Sequence, residues 1–427
     1  MQIARRAATL ALIAAGGQVI AYLLQVLLAR RLGVDGFEAY VAAASAFILM
    51  VTLAPRGIEK YALRVLPAML ERGDWGAARG YLRFALAQVL LASVLTALLV
   101  AIWALGFSDG SNARRWAIVF SCLALPAGAL THCALEILSA AGGELRAAAI
   151  FRVAVPGLVL AMVALLLPLF PEPSGVVAIA AWGVAWSLAL VLMALALRRI
   201  APPQIWRAVP RAAPRLWIRE ARPFWIYRIS MAVLAQAPIV ALVALQPSPA
   251  AVGAYAAAAG TVSLVVVLVT ATNRIYARRL AVLLERGDYD GVLEQRRLRL
   301  RWLAPLMVLM LLVAFLFSEP LLAFVRPEFV ADGVAPLRLL SVAAAFSLLF
   351  AMAPTYLKYR RRKLATYSIV AGAAALQLVL LLLLVPNHGA AGAAWAYLLS
   401  MGSLYGVFAW LARREVLELQ AAAPRGD

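Results

Sequence analysis

The sequence predicts an all-α polytopic membrane protein with about 12 transmembrane helices, arranged as two parallel six-helix repeats. Of its 427 residues 65% are hydrophobic and 14% are charged, and the mean hydropathy is +0.89. Soluble domains are about one-quarter charged. Many apolar runs reach the roughly 20 residues that a helix needs to cross a bilayer. The third observation is a pattern in the first half of the chain that returns in the second half, which indicates a duplication.

Three matched positions define this internal repeat. They are Tyr40 with Tyr255, Gly73 with Gly287, and Trp182 with Trp395, which lie 215, 214 and 213 positions apart. At Gly73 and Gly287 a helix is predicted to end in the left-handed conformation, and the following aspartate is predicted to cap the next helix. Six helices per repeat is an even number. Both repeats therefore enter the membrane from the same side and are related by an axis along the membrane normal.

The apolar runs give the approximate bounds of the helices and of the domains. Predicted helices are 8–29, 38–66, 80–106, 114–140, 147–169, 175–198, 222–245, 250–280, 300–324, 334–357, 364–386 and 389–412. The first bundle is predicted over 1–198, an interfacial cytoplasmic linker over 199–221, and the second bundle with a short tail over 222–427. Prolines at 55, 126, 156, 238, 305 and 354 interrupt the predicted spans and are candidate hinges.

The net charge of +20 reflects membrane topology and does not predict a nucleic-acid partner. With the N-terminus placed in the cytoplasm, 34 of the 40 Lys and Arg residues fall on the inner side and 6 on the outer side. The positive-inside rule then predicts a multi-pass membrane protein with both termini in the cytoplasm.

The residue types that enzymes and metal sites require are scarce. Only His132 and His388 are histidines, and Cys122 and Cys133 fall on one predicted helix as small core residues. The sequence has no phosphate-binding glycine loop and no large loop with paired acids. We therefore predict no catalytic residue, no metal, no cofactor and no enzymatic activity.

Basic residues inside the predicted spans are the main candidates for substrate binding, because charges in the hydrocarbon are costly. Arg56, Lys60 and Arg64 step by four and are predicted to share one helical face. The repeat places Arg274 opposite Lys60 and Arg278 opposite Arg64, each 214 positions apart. Two such stripes facing each other would form a basic cavity open to the cytoplasm. The alternative is that these side chains extend to anionic lipid headgroups.

Further candidates lie on the second, fourth and seventh predicted helices. Arg228 lies about two turns inside the seventh helix and is a candidate for the same cavity, with a headgroup contact as the alternative. Glu59 is adjacent to the basic stripe, can neutralise part of it, and is a further candidate for ion or proton coupling. His132 and Glu136 are four residues apart on one face, where they predict either a proton relay or a packed polar pair between helices.

Four short motifs resemble those of bacterial polysaccharide flippases of the O-antigen type. This family belongs to the multidrug/oligosaccharidyl-lipid/polysaccharide (MOP) exporter superfamily. The motifs are Ala29-Arg30-Arg31-Leu32-Gly33 with Phe37 and Tyr40, Gly57-Ile58 with Ala62 and Arg64, Val252-Gly253-Ala254-Tyr255, and Gly389 with Gly392-Ala393-Ala394. Glu38 stands where the family usually has glycine, and Pro238 lies where an acidic residue of the seventh helix is often found.

The resemblance implies a V-shaped transporter of two bundles. Such a protein moves an undecaprenyl-diphosphate-linked oligosaccharide to the periplasmic leaflet by alternating access, for surface polysaccharide biosynthesis. Expected partners are this lipid-linked oligosaccharide, membrane lipids, and a glycan polymerase or other assembly proteins. Two alternatives stay open, namely a multidrug antiporter, which would favour an acidic cavity, and a non-transporting scaffold of a glycan assembly complex.

Overall fold

A computed structural model describes residues 2–106, 111–170, 174–245, 248–359 and 363–422. Within these ranges some side chains, including those of Arg274 and Arg278, lie outside the described part. Every regular element in the described ranges is helical, which confirms the predicted fold class. The helices are α1 Gln2–Leu53, α2 Ile58–Glu71, α3 Trp75–Gly106, α4 Asn112–Leu138, α5 Glu144–Ala149, α6 Val155–Leu166, α7 Gly175–Ile200, α8 Pro203–Arg207, α9 Pro214–Leu245, α10 Pro249–Arg286, α11 Tyr289–Leu316, α12 Ser318–Val325, α13 Val330–Leu349, α14 Ala353–Tyr359 and α15 Lys363–Ala422.

The number of membrane crossings agrees with about 12. The described residues contain nine stretches that are long and apolar enough to span a membrane. Three of them, Ala8–Leu53, Asn112–Leu169 and Thr366–Val416, have 46, 58 and 51 residues, each enough for two crossings of roughly 20 residues. Each of the three contains a glycine with positive φ, namely Gly33, Gly142 and Gly389. Such a glycine interrupts the helix without the steric cost that a Cβ atom would add. The chain is therefore a multi-pass membrane protein.

The chain divides into two compact units. One comprises Leu12–Gly253, and the other comprises Ala254–Asp427 together with Met1–Ala11. In the first unit α4 packs against α7 and α3, while α2 packs against α4, α9 and α3. In the second unit α13 packs against α15 and α11. These units follow contacts and not sequence repeats, so the predicted bundle bounds 1–198 and 222–427 stay a prediction.

Three predicted helices are interrupted in the structure, and the shortest break is in the predicted helix 300–324, where Phe317 alone separates Leu316 from Ser318. The predicted helix 38–66 stops at Leu53 and starts again at Ile58, and the predicted helix 334–357 stops at Leu349 and starts again at Ala353. Pro55 lies in the interruption between α1 and α2. Pro354 is the second residue of α14, directly after the interruption that follows α13. A proline lacks the N–H of a continuing helix and collides with the preceding turn. The interior prolines Pro126, Pro238 and Pro305 leave their helices unbroken in the secondary-structure assignment.

The Gly-Asp joints have the predicted local structure in both halves. Gly73 has φ 67° and Gly287 has φ 69°. Asp74 Oδ1 accepts a hydrogen bond from the Ala77 N–H at 3.0 Å, and Asp288 Oδ1 accepts one from the Gly291 N–H at 2.8 Å. Each aspartate therefore caps the next helix, as the sequence predicts.

The predicted linker 199–221 packs against its own unit. The Arg211 N–H donates to the Gly76 carbonyl at 2.9 Å, and Arg79 donates to the Ala208 carbonyl at 2.6 Å. Arg211 also forms an ion pair with Asp74. Trp217, within the predicted linker, is buried in the core of the unit because α9 begins at Pro214 and not near residue 222.

Candidate functional site

The candidate site is built around the interruption between α1 and α2. Residues 54–57 are not helical, Arg56 has φ 55° and Gly57 has φ 77°. Such left-handed backbone is costly for a residue with a side chain, on the order of 1–3 kcal/mol. An interrupted helix at membrane depth is tolerated where its freed backbone groups find partners inside the protein.

Helix α9 covers this interruption closely and supplies such a partner. The Trp225 indole N–H donates a hydrogen bond of 3.0 Å to the carbonyl of Leu53, and Leu53 is the last residue of α1. A Cβ atom on Gly57 would lie 2.6 Å from the Ala221 carbonyl oxygen and 2.7 Å from the Trp225 backbone nitrogen. Only glycine permits both the positive φ and this approach of the α9 backbone. The contact positions α9 against the first turn of α2.

That first turn carries a buried carboxylate. Glu59 is 1% exposed, and its Oε1 lies 3.4 Å from Arg228 Nε on α9. Neither carboxylate oxygen of Glu59 accepts a hydrogen bond from the described residues. The N-terminal end of a helix carries partial positive charge, which favours a carboxylate in this position. Glu59 is thus held by an ion pair and the helix end, without a hydrogen bond from a neighbouring side chain.

The next residue forms a second acid–base pair with a different helix. Lys60 Nζ donates a short hydrogen bond to Glu136 Oε1 on α4. Because Glu59 and Lys60 are consecutive, the two pairs lie side by side and connect α2 to both α9 and α4. We call the four residues Glu59, Lys60, Glu136 and Arg228 the acid–base cluster. With all four side chains ionised, its formal charge is zero.

His132 lies one helical turn before Glu136 and is surrounded by aromatic rings. Its ring centroid is 4.7 Å from that of Phe151 in an edge-to-face arrangement. It stacks on Trp186 at 5.4 Å with an interplanar angle of 16°. The side chains of His132 and Glu136 therefore meet different neighbours, and the proton relay between them stays a prediction.

The remaining basic candidates are distributed differently from the predicted stripe. Arg56 precedes α2, so the spacing of four does not place it on one helical face with Lys60, because the helix starts only at Ile58. Its side chain is exposed. Arg64 is exposed and lies 3.7 Å from Glu220. The side chains of Arg274 and Arg278 lie outside the described residues. A role of these four arginines in binding stays a prediction.

Three features of the site were absent from the sequence prediction. Glu220, Trp225 and the left-handed backbone at Arg56 emerge only when α9 packs on α2. Pro55-Arg56-Gly57 was a usable signal, because proline and glycine two positions apart interrupt helices. In the described part of the chain no group of three or more His, Cys, Asp or Glu residues could hold a metal ion. Cys122 and Cys133 are buried free thiols, as predicted.

Comparison with solved structures shows the fold. A multidrug resistance MATE family transporter of the MOP superfamily in an inward-facing conformation matches with a TM-score of 0.74. The two chains are 12% identical, and the match covers 95% of this chain and 96% of that one. A mutant of the Vibrio cholerae MATE transporter VcmN matches with a TM-score of 0.65 and 15% identity, over 98% and 97% of the two chains.

A third match is a MOP superfamily transporter from Pyrococcus furiosus. The binding pocket of that protein is reported to have reverse polarity, which suggests a different function for it. Its TM-score is 0.64 and its identity 14%, over 97% of this chain and 96% of that one. No protein-family model and no curated protein matches the sequence. The protein thus has the fold of MATE transporters of the MOP superfamily, along nearly the whole chain.

Proposed function

We propose that this protein is a membrane transporter, and not an enzyme, that translocates an undecaprenyl-diphosphate-linked oligosaccharide across the bacterial inner membrane by alternating access. Three observations support the proposal. The fold is that of MOP superfamily transporters. The sequence motifs resemble those of polysaccharide flippases. The acid–base cluster places two cations, Lys60 and Arg228, beside the helix interruption at residues 54–57.

The acid–base cluster is the observation that carries the proposal. A diphosphate in a low-dielectric site needs cationic hydrogen-bond donors. Lys60 and Arg228 are such donors, and both are occupied by carboxylates in this structure. A diphosphate that engages them would take the place of Glu59 and Glu136. A buried carboxylate without a cation or hydrogen bond is costly, so each displaced glutamate is stabilised by taking up a proton.

Substrate binding is therefore coupled to proton uptake at Glu59 and Glu136. By linkage, the diphosphate lipid binds more tightly as the pH falls, because protonation of the glutamates releases Lys60 and Arg228. Proton release from the glutamates would restore the two ion pairs and expel the substrate. The coupling ion of this scheme is the proton, and Arg56 at the exposed helix interruption is available as a further contact to phosphate.

The experiment measures binding of undecaprenyl diphosphate to the purified protein at several pH values. For the wild type we expect tighter binding at pH 5.5 than at pH 8. In the double variant Glu59→Gln with Glu136→Gln, affinity should be high and nearly independent of pH, because the cations are released permanently. In Lys60→Gln with Arg228→Gln, binding should fall by roughly two orders of magnitude, as expected for the loss of two charge-assisted contacts.

Arg83→Gln is the matched control, because Arg83 is an exposed arginine on α3 of the same unit. It should leave binding unchanged. Equal binding by the wild type and the Lys60–Arg228 variant would exclude the cluster as the diphosphate site. Transport is then measured in proteoliposomes with a labelled lipid-linked oligosaccharide, which tests translocation separately from binding.

Extrusion of organic cations is the second candidate, because the structurally similar transporters include multidrug resistance proteins. Glu59 and Glu136 would then be the binding groups, after losing Arg228 and Lys60 as partners. This function predicts that Glu59→Gln abolishes cation binding and that neutralising Lys60 strengthens it, the reverse of the diphosphate scheme. A scaffold of a glycan assembly complex, with a polymerase as partner, predicts no transport of either substrate.

A further inference from the structure

The second compact unit contains a cavity of about 290 Å³ that the proposed transport function does not use. Residues of α10, α11, α14 and α15 line it, together with Leu349 at the end of α13 and with Phe350 and Met352 in the interruption before α14. Its walls are mainly apolar, with Leu280, Val292, Leu300, Phe350, Ala412 and Val416 among them. A cavity of this size is at the lower limit of small-ligand pockets and far too small for an oligosaccharide.

A buried arginine forms part of the cavity wall. Arg299 on α11 is 4% exposed. Its Nη2 donates to Asn273 Oδ1 at 2.7 Å and to the Leu348 carbonyl at 3.2 Å, and its guanidinium lies 5.7 Å from the centre of the Tyr276 ring. Its Nε has no hydrogen-bond acceptor among the described residues. No carboxylate within the described ranges forms an ion pair with it.

An arginine is always charged in proteins, so a buried guanidinium without an anionic partner is unusual and makes Arg299 a candidate contact for an anion. Two further arginines, Arg296 and Arg413, line the same cavity and have exposed side chains. Their neighbours Arg297 and Arg301 on α11 are exposed and do not line the cavity. Three positively charged side chains therefore line a mainly apolar pocket.

We propose that this cavity binds the phosphodiester headgroup of an anionic membrane phospholipid. Arg299 would supply the buried positive charge at the cavity wall, and Arg296 and Arg413 would add charge from the same wall. The apolar walls match the first methylene groups of the acyl chains. The positive-inside count places this end of α11 and α15 at the cytoplasmic surface, where the inner leaflet supplies such lipids.

The proposal is independent of the acid–base cluster, because every lining residue belongs to the unit that begins at Ala254. If the diphosphate transport proposal fails, the phospholipid proposal still stands. If the phospholipid proposal fails, the transport proposal still stands. It also differs from general attraction of basic residues to lipid, since the central group is buried and Arg297 and Arg301 supply exposed arginines on the same helix for comparison.

The test is a titration of the purified full-length protein with short-chain phosphatidylglycerol, followed by native mass spectrometry. Parallel titrations use phosphatidylcholine of the same chain length and inorganic phosphate. We expect the wild type to bind phosphatidylglycerol roughly tenfold more tightly than phosphatidylcholine, and Arg299→Gln to lose this preference. Arg297→Gln is the matched control and should retain it.

A second variant tests the cavity without removing the Arg299 hydrogen bonds. Ala412→Phe on α15 should fill the apolar part and weaken phosphatidylglycerol binding, even if Arg299→Gln does not fold. Equal affinities for the two lipids, or equal losses in Arg297→Gln and Arg299→Gln, would overturn the proposal. Binding of inorganic phosphate that displaces the lipid completely would also overturn it, since the site would then recognise the free anion.

Discussion

Each half of the chain has a break of several residues inside a predicted membrane helix, but the two breaks lie at different positions of the repeat. In the first half the gap is at residues 54–57, within the second predicted helix. At the matching positions 268–271, which are 214 residues later, α10 is continuous. In the second half the gap is at residues 350–352. The residue 214 positions before Phe350 is Glu136, which lies within helix α4.

Both gaps are stabilised in the same way. The carbonyl of Leu53 accepts a side-chain hydrogen bond from Trp225, and the carbonyl of Leu348 accepts one from Arg299. Each carbonyl also accepts a long hydrogen bond of 3.4 Å from the backbone N–H three residues later, which is that of Arg56 or Ala351. In a membrane the groups that an interrupted helix frees must find partners within the protein. The polar side chains at both sites therefore follow from the interruptions.

The charges at the two gaps differ. Glu59 and Glu136 neutralise Lys60 and Arg228 in the first half. The repeat places Asn273 at the position of Glu59, and Phe350 at the position of Glu136. No carboxylate remains at these two positions of the second half, and Arg299, which lies beside Asn273, forms no ion pair with any described residue. Under the two proposals above, the first site exchanges its carboxylates for a bound anion, whereas the second site binds an anion without such an exchange.

Adding a side chain at Gly57, in the first gap, should have the largest effect on stability. Gly57→Ala adds a Cβ atom at 2.6 Å from the Ala221 carbonyl oxygen and forces alanine into positive φ. We expect a loss of about 2–4 kcal/mol from strain and overpacking. In detergent solution the melting temperature should fall clearly. Gly157→Ala, at a helical glycine with open space around it, is the control and should leave the melting temperature nearly unchanged. A stable Gly57→Ala variant would contradict the close α9 contact.

Removing one member of a buried ion pair should have the next largest effect. Arg228→Leu leaves Glu59, 1% exposed, without its cation, at a cost of about 3 kcal/mol. The double variant Arg228→Leu with Glu59→Leu removes both charges and should recover much of the lost melting temperature. If the double variant is no more stable than the single one, the ion pair is not the reason for the loss.

The smallest effect is expected at the Gly-Asp joints. The hydrogen bond from the Ala77 N–H, followed by the Arg211 guanidinium, lowers the pKa of Asp74 below its ordinary value. Its stabilising contribution is therefore complete above the ordinary aspartate pKa of about 3.9 and is lost as the pH falls through the lower folded value. Asp74→Asn should lower the melting temperature slightly at pH 7, and the difference from wild type should close below about pH 4.

Asp288→Asn is the matched variant in the second half. Asparagine preserves most of a helix cap, and no ion pair of Asp288 occurs among the described residues. Its change in melting temperature should be smaller than that of Asp74→Asn at pH 7. Equal changes in the two variants would show that the Arg211 ion pair, which binds the linker to α3, contributes nothing to stability.

Much of the fold could be predicted from local signals. Composition and apolar run length predicted a multi-pass helical membrane protein, and the structure confirms this because crossing a bilayer requires long apolar helices. The Gly-Asp joints were predicted with their caps, since helix ends depend on a few consecutive residues. The bounds of α9 and α11 were misplaced, because their first turns are polar and basic and carry little apolar signal.

The candidate site could be predicted only in part. Lys60, Glu59, Arg228 and Glu136 were selected because charges inside apolar spans are costly. Which carboxylate would meet which cation could not be predicted, because the partners are 76 and 169 positions apart in the sequence. Arg299 was counted only as one of many cytoplasmic basic residues, since a buried arginine and an exposed one look alike in a sequence.

The sequence by itself determined the membrane class, the repeat and the local helix ends, because each depends on composition or on neighbouring residues. Tertiary structure decided that Pro55 and Pro354 interrupt their helices while Pro126, Pro238 and Pro305 do not. An interrupted helix in a membrane exists only where another element satisfies its free carbonyls. Trp225 and Arg299 provide that compensation from distant helices, and only packing brings them there.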